Sequence, residues 1–399
     1  MLLRTIVLLG LFAPATVMAQ GRRDPTVIGK IDSVWSKTLK ENRRYLVYTP
    51  PSYNDTTYTP QRYPVLYLLD GDAHFHSVSG LVQILGTGVN GTYVVPEMMV
   101  VAIPNTDRTR DMTPTNVQVG LDGKPNPFFK TSGGMGNFFT FLKDELIPEI
   151  DSKYRTSGYR IFVGHSLGGI TAINALYSIP ETFNAYVAID PSLWWDKKVL
   201  LGKAKDYFSA AKLDNRVLYI GQANTINPDD STNNDHFNAI VQFNSVLEAY
   251  NKSGLRYAYK YYADDDHGSV PLISEYEALR FIFDGYRVPL MPVMKNPPEL
   301  VAHFDRVSAK LGAPFKPTEA MVTQLAQFNL MGGQDTANAV AFYEMGTRLF
   351  PNSYRSFDRL GAIYAARKET AKARQYYEKS LALRPDNKAA QEALRKLGQ

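Results

Sequence analysis

An apolar run, Ile161-Phe162-Val163, stops at Gly164; a lone serine follows at Ser166, and Gly168 and Gly169 open an alanine-rich helical pattern. This is G-x-S-x-G set between a strand and a helix, the context in which the motif forms a nucleophile elbow. The turn is too tight to admit Cβ atoms beside the serine. Its backbone is therefore expected to be strained, holding the hydroxyl above a sheet edge within reach of a substrate. G-x-S-x-G also arises by chance in glycine-rich loops, and it is the flanking strand and helix that favour a nucleophile here.

The rest of the chain reads as the setting such a turn needs. Residues 65–69 and 98–103 are continuous apolar runs, as buried central strands are. Residues 159–163, 186–189, 217–220 and 257–262 supply further strands, and residues 138–151 and 274–286 carry helical patterns. Between positions 27 and 48, the alternating segments Thr38-Leu39-Lys40 and Arg44-Tyr45-Leu46-Val47-Tyr48 suggest antiparallel edge strands. Strands alternating with helices predict an α/β fold, a three-layer sandwich around a mostly parallel sheet.

Past Tyr286 the pattern changes. Pro289, Pro292, Pro297 and Pro298 suggest a stiff linker, and everything beyond is helical in character. Phe357, Leu360, Gly361, Tyr364, Ala373, Tyr377 and Pro385 fall at the offsets of a tetratricopeptide repeat. One 34-residue period earlier stand Ala339, Tyr343 and Pro351, so a degenerate repeat precedes a good one. The expected organisation is a signal peptide over 1–19, an α/β domain over 20–288, a linker over 289–316 and an all-α repeat domain over 317–399.

The signal expectation rests on Arg4, the apolar residues 6–12 and the small-x-small site Val17-Met18-Ala19, too short a stretch to span a bilayer. It implies export, to a bacterial periplasm or beyond, with no integral membrane segment. The chain has no cysteine, which removes disulfides, thiolate catalysis and zinc-thiolate sites together. A net charge of +5 over 399 residues gives no reason to expect nucleic acid. The excess is concentrated in residues 352–399, with eleven Lys/Arg against five Asp/Glu, which a solvated helical face explains.

A serine hydroxyl needs a base within hydrogen-bond reach, and the order in such folds is Ser, acid, His. Of the six histidines, only His236 and His267 follow Ser166 within the α/β domain. His267 occupies a polar turn between the last strand and the last helix, where the base is expected. His236 opens a helix, where capping or surface exposure is the expectation. The acid is sought in the loop after residues 217–220, where Asp230 and Asp229 come first and Asp235 third. The alternative is that these aspartates only cap a turn, with Asp266 or a Ser–His dyad completing the site. Oxyanion donors are expected at the N–H of Leu167 and the N–H of Asp72, with Asp70 fixing the latter's loop. Arg108, Trp194 and Trp195, in loops after two other strands, are expected to line a substrate cleft, unless those loops pack on themselves.

Together, Leu68-Leu69-Asp70-Gly71-Asp72, the run from Ile103-Pro104-Asn105 to Asp111, Gly164-His165-Ser166-Leu167-Gly168-Gly169, Asp190-Pro191-Ser192-Leu193-Trp194-Trp195 and His267-Gly268-Ser269-Val270 resemble the putative esterase family. That family groups esterase D, trilactone siderophore esterases, feruloyl and acetylxylan esterases and mycolyltransferases, and the resemblance runs over residues 31–286. It implies Ser166 as nucleophile, His267 as base and Leu167 with Asp72 at the oxyanion, with no metal or organic cofactor. The siderophore and polysaccharide branches look most similar. The chain departs from esterase D in having no Asp shortly after Gly221, and some siderophore esterases work with a Ser–His dyad. The expected function is a serine carboxylesterase. The same nucleophile would serve an acyltransferase, and an inert scaffold recruiting a protein through the repeats is the contrasting class. The repeats would bind a partner, build a dimer or pack on the esterase domain.

Overall fold

The computed structural model describes residues 25–87, 93–120, 124–229, 234–333 and 335–398. The signal-peptide expectation and Asp230 lie outside these residues.

Eight strands form one sheet: β1 (Lys30–Ser36), β2 (Glu41–Tyr48), β3 (Tyr63–Leu68), β4 (Met99–Ala102), β5 (Thr156–His165), β6 (Ala185–Ile189), β7 (Val217–Ala223) and β8 (Arg256–Tyr262). Their spatial order is β1-β2-β4-β3-β5-β6-β7-β8. β1 and β2 pair antiparallel, as do β2 and β4, and every pair from β4 to β8 is parallel. The fully buried β3, β4, β6 and β7 are the continuous apolar runs of the sequence, because a central strand covered on both faces has no polar side. One detail differs from expectation. Thr38-Leu39-Lys40 is not strand but the hairpin turn between β1 and β2, which Lys40 enters with φ 56°.

Helices cover both faces. On one lie α1 (Gly71–Thr87) and α8 (Val270–Ile282), whose Phe75, Val78, Val82, Ala278 and Leu279 meet Leu66, Val163 and Val187 of the sheet. On the other lie a stretch running through α3 (Met135–Thr140), a π-helical segment (Phe141–Leu146) and α4 (Ile147–Lys153), then α5 (Leu167–Ser178), α6 (Trp195–Ala210) and α7 (Asp235–Tyr250). A short helix, α2 (Arg108–Asp111), follows β4. It is fastened by the buried pair Arg43–Asp111 at 2.5 Å and by Arg110, which reaches Asp111 and Glu41 at 2.7 Å each.

The proline-rich segment 289–316 is not an extended spacer. It forms α9 (Leu290–Lys295) and α10 (Glu299–Leu311), with Pro289 and Pro298 at their N-caps, where a missing N–H costs nothing. Val293, Leu300, Phe304 and Val307 are buried in the same apolar cluster as the sheet, and Phe315 meets Tyr159 of β5 at 5.5 Å between ring centroids. The prolines thus start helices that dock on the body. Two helical pairs follow: α11 (Glu319–Met331) with α12 (Thr336–Leu349), and α13 (Tyr354–Ala366) with α14 (Thr370–Leu383), closed by α15 (Lys388–Leu397). The small and aromatic residues read as repeat positions, Ala339, Tyr343, Leu360, Tyr364, Ala373 and Tyr377, are all buried where helices cross. Among the described residues no helix is long and apolar enough to cross a membrane.

Candidate active site

The chain leaves β5 at His165 and enters α5 at Leu167, with Ser166 alone between them at φ 59°, ψ −114°. Such a conformation is costly for a residue with a Cβ and persists only where the surroundings impose it. Here they do. A Cβ on Gly164 would lie 2.2 Å from the Gly168 carbonyl oxygen, and one on Gly169 would lie 2.9 Å from that of Ile189. Ser166 N–H donates to Ile189 O at 2.9 Å, and Ser192 N–H donates to Ser166 O at 3.0 Å, so β6 and its loop brace the turn from the side. The Ser166 hydroxyl pairs with the Ser192 hydroxyl at 3.2 Å. Among the described residues no hydrogen bond joins it to a histidine; such contacts are often long before substrate binds.

His267 stands between β8 and α8, as its position in sequence implied. The preceding residues shape the turn: Asp266 Oδ1 accepts the N–H groups of Gly268 and Ser269 at 2.9 Å each, and Asp265 accepts the Ser269 hydroxyl. Asp266 is thereby engaged in the turn. The carboxylate that meets His267 is Asp190, at the C-terminal end of β6, with Oδ2 2.5 Å from Nδ1. That leaves Nε2 as the free ring nitrogen. The same Oδ2 lies 2.8 Å from His236 Nε2, and Oδ1 accepts the Ala223 N–H at 3.0 Å. Asp190 is wholly buried. Burial opposes its ionisation, yet the donors from His236, His267 and Ala223 outweigh it and hold the carboxyl well below the usual range.

Sequence reasoning sought the acid on the β7 loop, and the structure brings a different carboxylate to the histidine. Asp229 is exposed, and neither a hydrogen bond nor an ion pair joins it to His267. Its backbone N–H turns instead to the Asn227 side chain, at 3.1 Å. The reason lies in the sheet: β6 is adjacent to the nucleophile strand, and Asp190, at φ 40°, turns off its end under the β8 loop. His236 likewise sits in the cluster and not on the surface, because the first turn of α7 packs beside Asp190. A usable signal existed for both. Asp190 is the first carboxylate after a parallel strand at the elbow's own sheet edge, and His236 is the only other histidine beyond Ser166 in the domain.

His165 and His74 extend this into a row of imidazoles, with ring centroids 4.4 Å apart for His165 and His267 and 6.1 Å for His74 and His165. Burial, then the neighbouring His267 and His74, push His165 down to about 4, so it is neutral at ordinary pH. Asp190, His236 and His267 also present three ligand atoms within 4.8 Å of one another, the one such group among the described residues. Ligands about a tetrahedral metal with bonds of 2.0–2.1 Å stand roughly 3.3 Å apart. The 2.5 and 2.8 Å contacts to one carboxylate oxygen are instead hydrogen bonds.

β3 ends at Leu68, Asp70 follows it with φ 52°, and α1 begins at Gly71, whose Cβ, if present, would lie 2.7 Å from the Ile103 N. The N–H of Asp72, in the first turn of α1, and that of Leu167, first in α5, donate no hydrogen bond among the described residues, as helix N-termini leave them free. Asp70 holds this loop as expected, accepting Asn105 Nδ2 at 2.7 Å and a two-point contact from Arg108 at 2.6 and 3.0 Å. Burial raises the Asp70 carboxyl, but Arg108 and Asn105 together hold it below its ordinary value. Arg108, expected to face substrate, pairs with Asp70 and donates to the His165 carbonyl at 3.2 Å, with 33% of its side chain still exposed. Trp195 departs from its expected place. It is fully buried, its Nε1 donates to Thr115 Oγ1 at 3.1 Å and its ring meets Phe129 edge-on at 4.9 Å, so it is a packing residue. Trp194 is half-buried beside it. Ser166 itself is half-buried, and Asp72, Asn224 and Gly268, beyond the ends of β3, β7 and β8, are exposed.

The family model for putative esterases matches residues 36–267, which include Asp70, Ser166, Asp190, His236 and His267. The chain belongs to that family. A tetratricopeptide repeat model matches residues 354–387, which are α13, α14 and the turn after them. The chain is 31% identical over 251 residues to the ferri-bacillibactin esterase BesA of Bacillus subtilis, covering 60% of this chain and 85% of that protein. It is 32% identical to a siderophore enterobactin esterase of Emericella nidulans over 37% of this chain and 52% of that protein. Among solved structures, an IroE-like serine hydrolase of Shewanella oneidensis superposes with a TM-score of 0.72 at 29% identity, covering 80% of this chain and 99% of that one. The esterase is thus a carboxylic ester hydrolase on an α/β sandwich with a C-terminal helical repeat.

Proposed function

We propose that this esterase is an exported serine hydrolase that cleaves siderophore esters through an acyl-enzyme on Ser166. The 2.5 Å contact between Asp190 and His267 Nδ1 carries the mechanism, because it orients the imidazole with Nε2 free to act as base. Two relatives named as siderophore esterases support the substrate class.

The reaction runs in two halves. His267 Nε2 takes the Ser166 proton as Oγ attacks the ester carbonyl carbon, and the Leu167 and Asp72 N–H groups hold the oxyanion. The tetrahedral adduct collapses with cleavage of the carbon–alkoxide bond, and His267 returns the proton to the departing alcohol. Water then gives its proton to the same nitrogen and attacks the acyl carbon; collapse releases the acid and restores Ser166. Asp190 stays ionised throughout and steadies the imidazolium, with His236 donating to the same oxygen. Export rests on the N-terminal charge, apolar core and small-x-small pattern. The helical repeats are offered for contact with a protein.

Incubating the purified chain with a trilactone siderophore, with and without iron, and following monomer release by mass spectrometry tests this reading. The wild type is expected to give ring-opened and monomeric acids, and Ser166→Ala none. Hydrolysis of acetylated or feruloylated sugars alone, with the siderophore untouched, would move the substrate class. Turnover by Ser166→Ala would end the mechanism.

A further inference from the structure

The repeat helices meet the esterase body at a polar joint. Thr59 donates both its N–H and its hydroxyl to Glu319 Oε2 at 2.7 Å, and the Ser353 hydroxyl donates to Glu319 Oε1. Every donor on that buried carboxylate is neutral. Beside the joint lies a cavity of about 240 Å³, walled by the esterase loop at Tyr58, by Thr323 and Gln327 of α11, by Tyr343 of α12 and by Arg355 and Arg359 of α13.

The lining leaves two buried hydroxyls unpaired: Thr323 is 6% exposed and Tyr343 1%, and neither hydroxyl has a hydrogen-bond partner. A buried polar group left so costs about 1–3 kcal/mol, so each calls for an explanation. The two guanidiniums form no ion pair or hydrogen bond among the described residues. That of Arg355 lies over the rings of Tyr58 and Tyr354, 5.4 and 5.1 Å from their centroids, which fixes its plane and leaves its N–H edge free. That of Arg359 acts electrostatically on Tyr343. Asp55, fully exposed on the loop, interacts at a distance with Arg355. Two cations and two buried, unpartnered hydroxyls therefore line one small space, in which the Gln327 amide is a further polar side chain.

We propose that this cavity is a binding site for a small oxyanion, a carboxylate or a phosphate, held between the esterase loop and the repeat helices. Planar guanidinium forks match both chemistries, and the Thr323 and Tyr343 hydroxyls supply donors from the opposite wall. The volume falls below that of pockets for drug-sized ligands, so the ligand is a compact anion or the anionic end of a larger molecule. Because loop and helices both line the site, its occupant fastens the repeats to the esterase body, and the site is separate from the Ser166 chemistry.

The test uses the full chain and two probes, inorganic phosphate and succinate, against sodium chloride at matched ionic strength. Thermal unfolding and isothermal titration calorimetry are read in parallel. A saturable rise in Tm of several degrees with matching heat is expected for one probe or both, and which one responds separates the phosphate from the carboxylate source. The double variant Arg355→Ala/Arg359→Ala is expected to lose the response while hydrolysing p-nitrophenyl acetate at the wild-type rate. Tyr343→Phe removes only an unpartnered hydroxyl; it is expected to keep the ligand-free Tm or raise it, and to weaken binding about fivefold or more. No saturable response to either probe, or an undiminished response in both variants, overturns the proposal.

Discussion

Asp190 Oδ2 lies 2.5 Å from His267 Nδ1 across 77 residues of sequence, and the two come together because β6 and β8 end at the same edge of one parallel sheet. Asn at position 190 would present an amide where the imidazole needs an acceptor, favouring the wrong tautomer. Asp190→Asn is therefore expected to lower kcat for p-nitrophenyl acetate by up to about 10⁴-fold with little change in Tm. Asp229→Asn is expected to stay within about twofold of wild type, since Asp229 makes no contact with His267. Equal losses in the two variants, or a loss only at Asp229, would return the acid to the β7 loop.

His236 fills the second donor position on the same oxygen. Removing it leaves Asp190 with one imidazole and one N–H, so the carboxylate is less firmly held beneath His267. His236→Ala is expected to lower kcat with KM unchanged, and by less than Asp190→Asn. A change confined to KM would place His236 against the substrate instead.

The adjacent tryptophans separate cleanly. Trp195 is enclosed, so Trp195→Ala is expected to lose about 3–5 kcal/mol of stability, read by urea denaturation. Trp194 is half-buried, and Trp194→Ala is expected to leave the denaturation midpoint nearly unchanged while altering KM for bulky esters. Stability losses of similar size in both would show that the pair only packs.

Glu275 of α8 is buried against Leu66, Val78 and Val163, with Oε2 unpartnered, and burial pushes its carboxyl up to about 8 from an ordinary 4.5. The native state thus holds a proton that the unfolded chain releases above pH 4.5. Its contribution to stability is complete below that value and is lost as pH rises through about 8. Glu275→Gln does not titrate, so its stability relative to wild type is expected to increase between pH 5 and 8, on the order of a few kcal/mol at the upper end. Denaturation midpoints at the two pH values measure this; a gap that does not widen with pH would mean that Glu275 ionises freely in the fold.

Much of this protein is local in origin and was legible as such. The four buried strands are apolar runs because a strand covered on both faces can hold nothing else. The elbow needed glycine at 164 and 169 because backbone carbonyls stand where Cβ atoms would be. The repeat at 354–387 followed from residues that must pack helix against helix. Where local signals misled, the cause was tertiary. Prolines at 289 and 298 read as a spacer, yet they begin helices whose apolar faces find the sheet.

The sequence by itself determined the nucleophile turn, the place of His267 after the last strand and the sheet that carries both, because each depends on residues adjacent in the chain. Only the tertiary structure decided what surrounds them. Asp190 and His267 lie on two separate loops and His236 in the first turn of α7, and nothing in the spacing of 46 and 77 residues says that they meet at one carboxylate oxygen. That follows from strand order and from Asp190 turning off β6 with a positive φ. Trp195 was resolved the same way. Its side chain suits a substrate, yet it is enclosed and held by Thr115, a partner that a linear reading cannot place beside it.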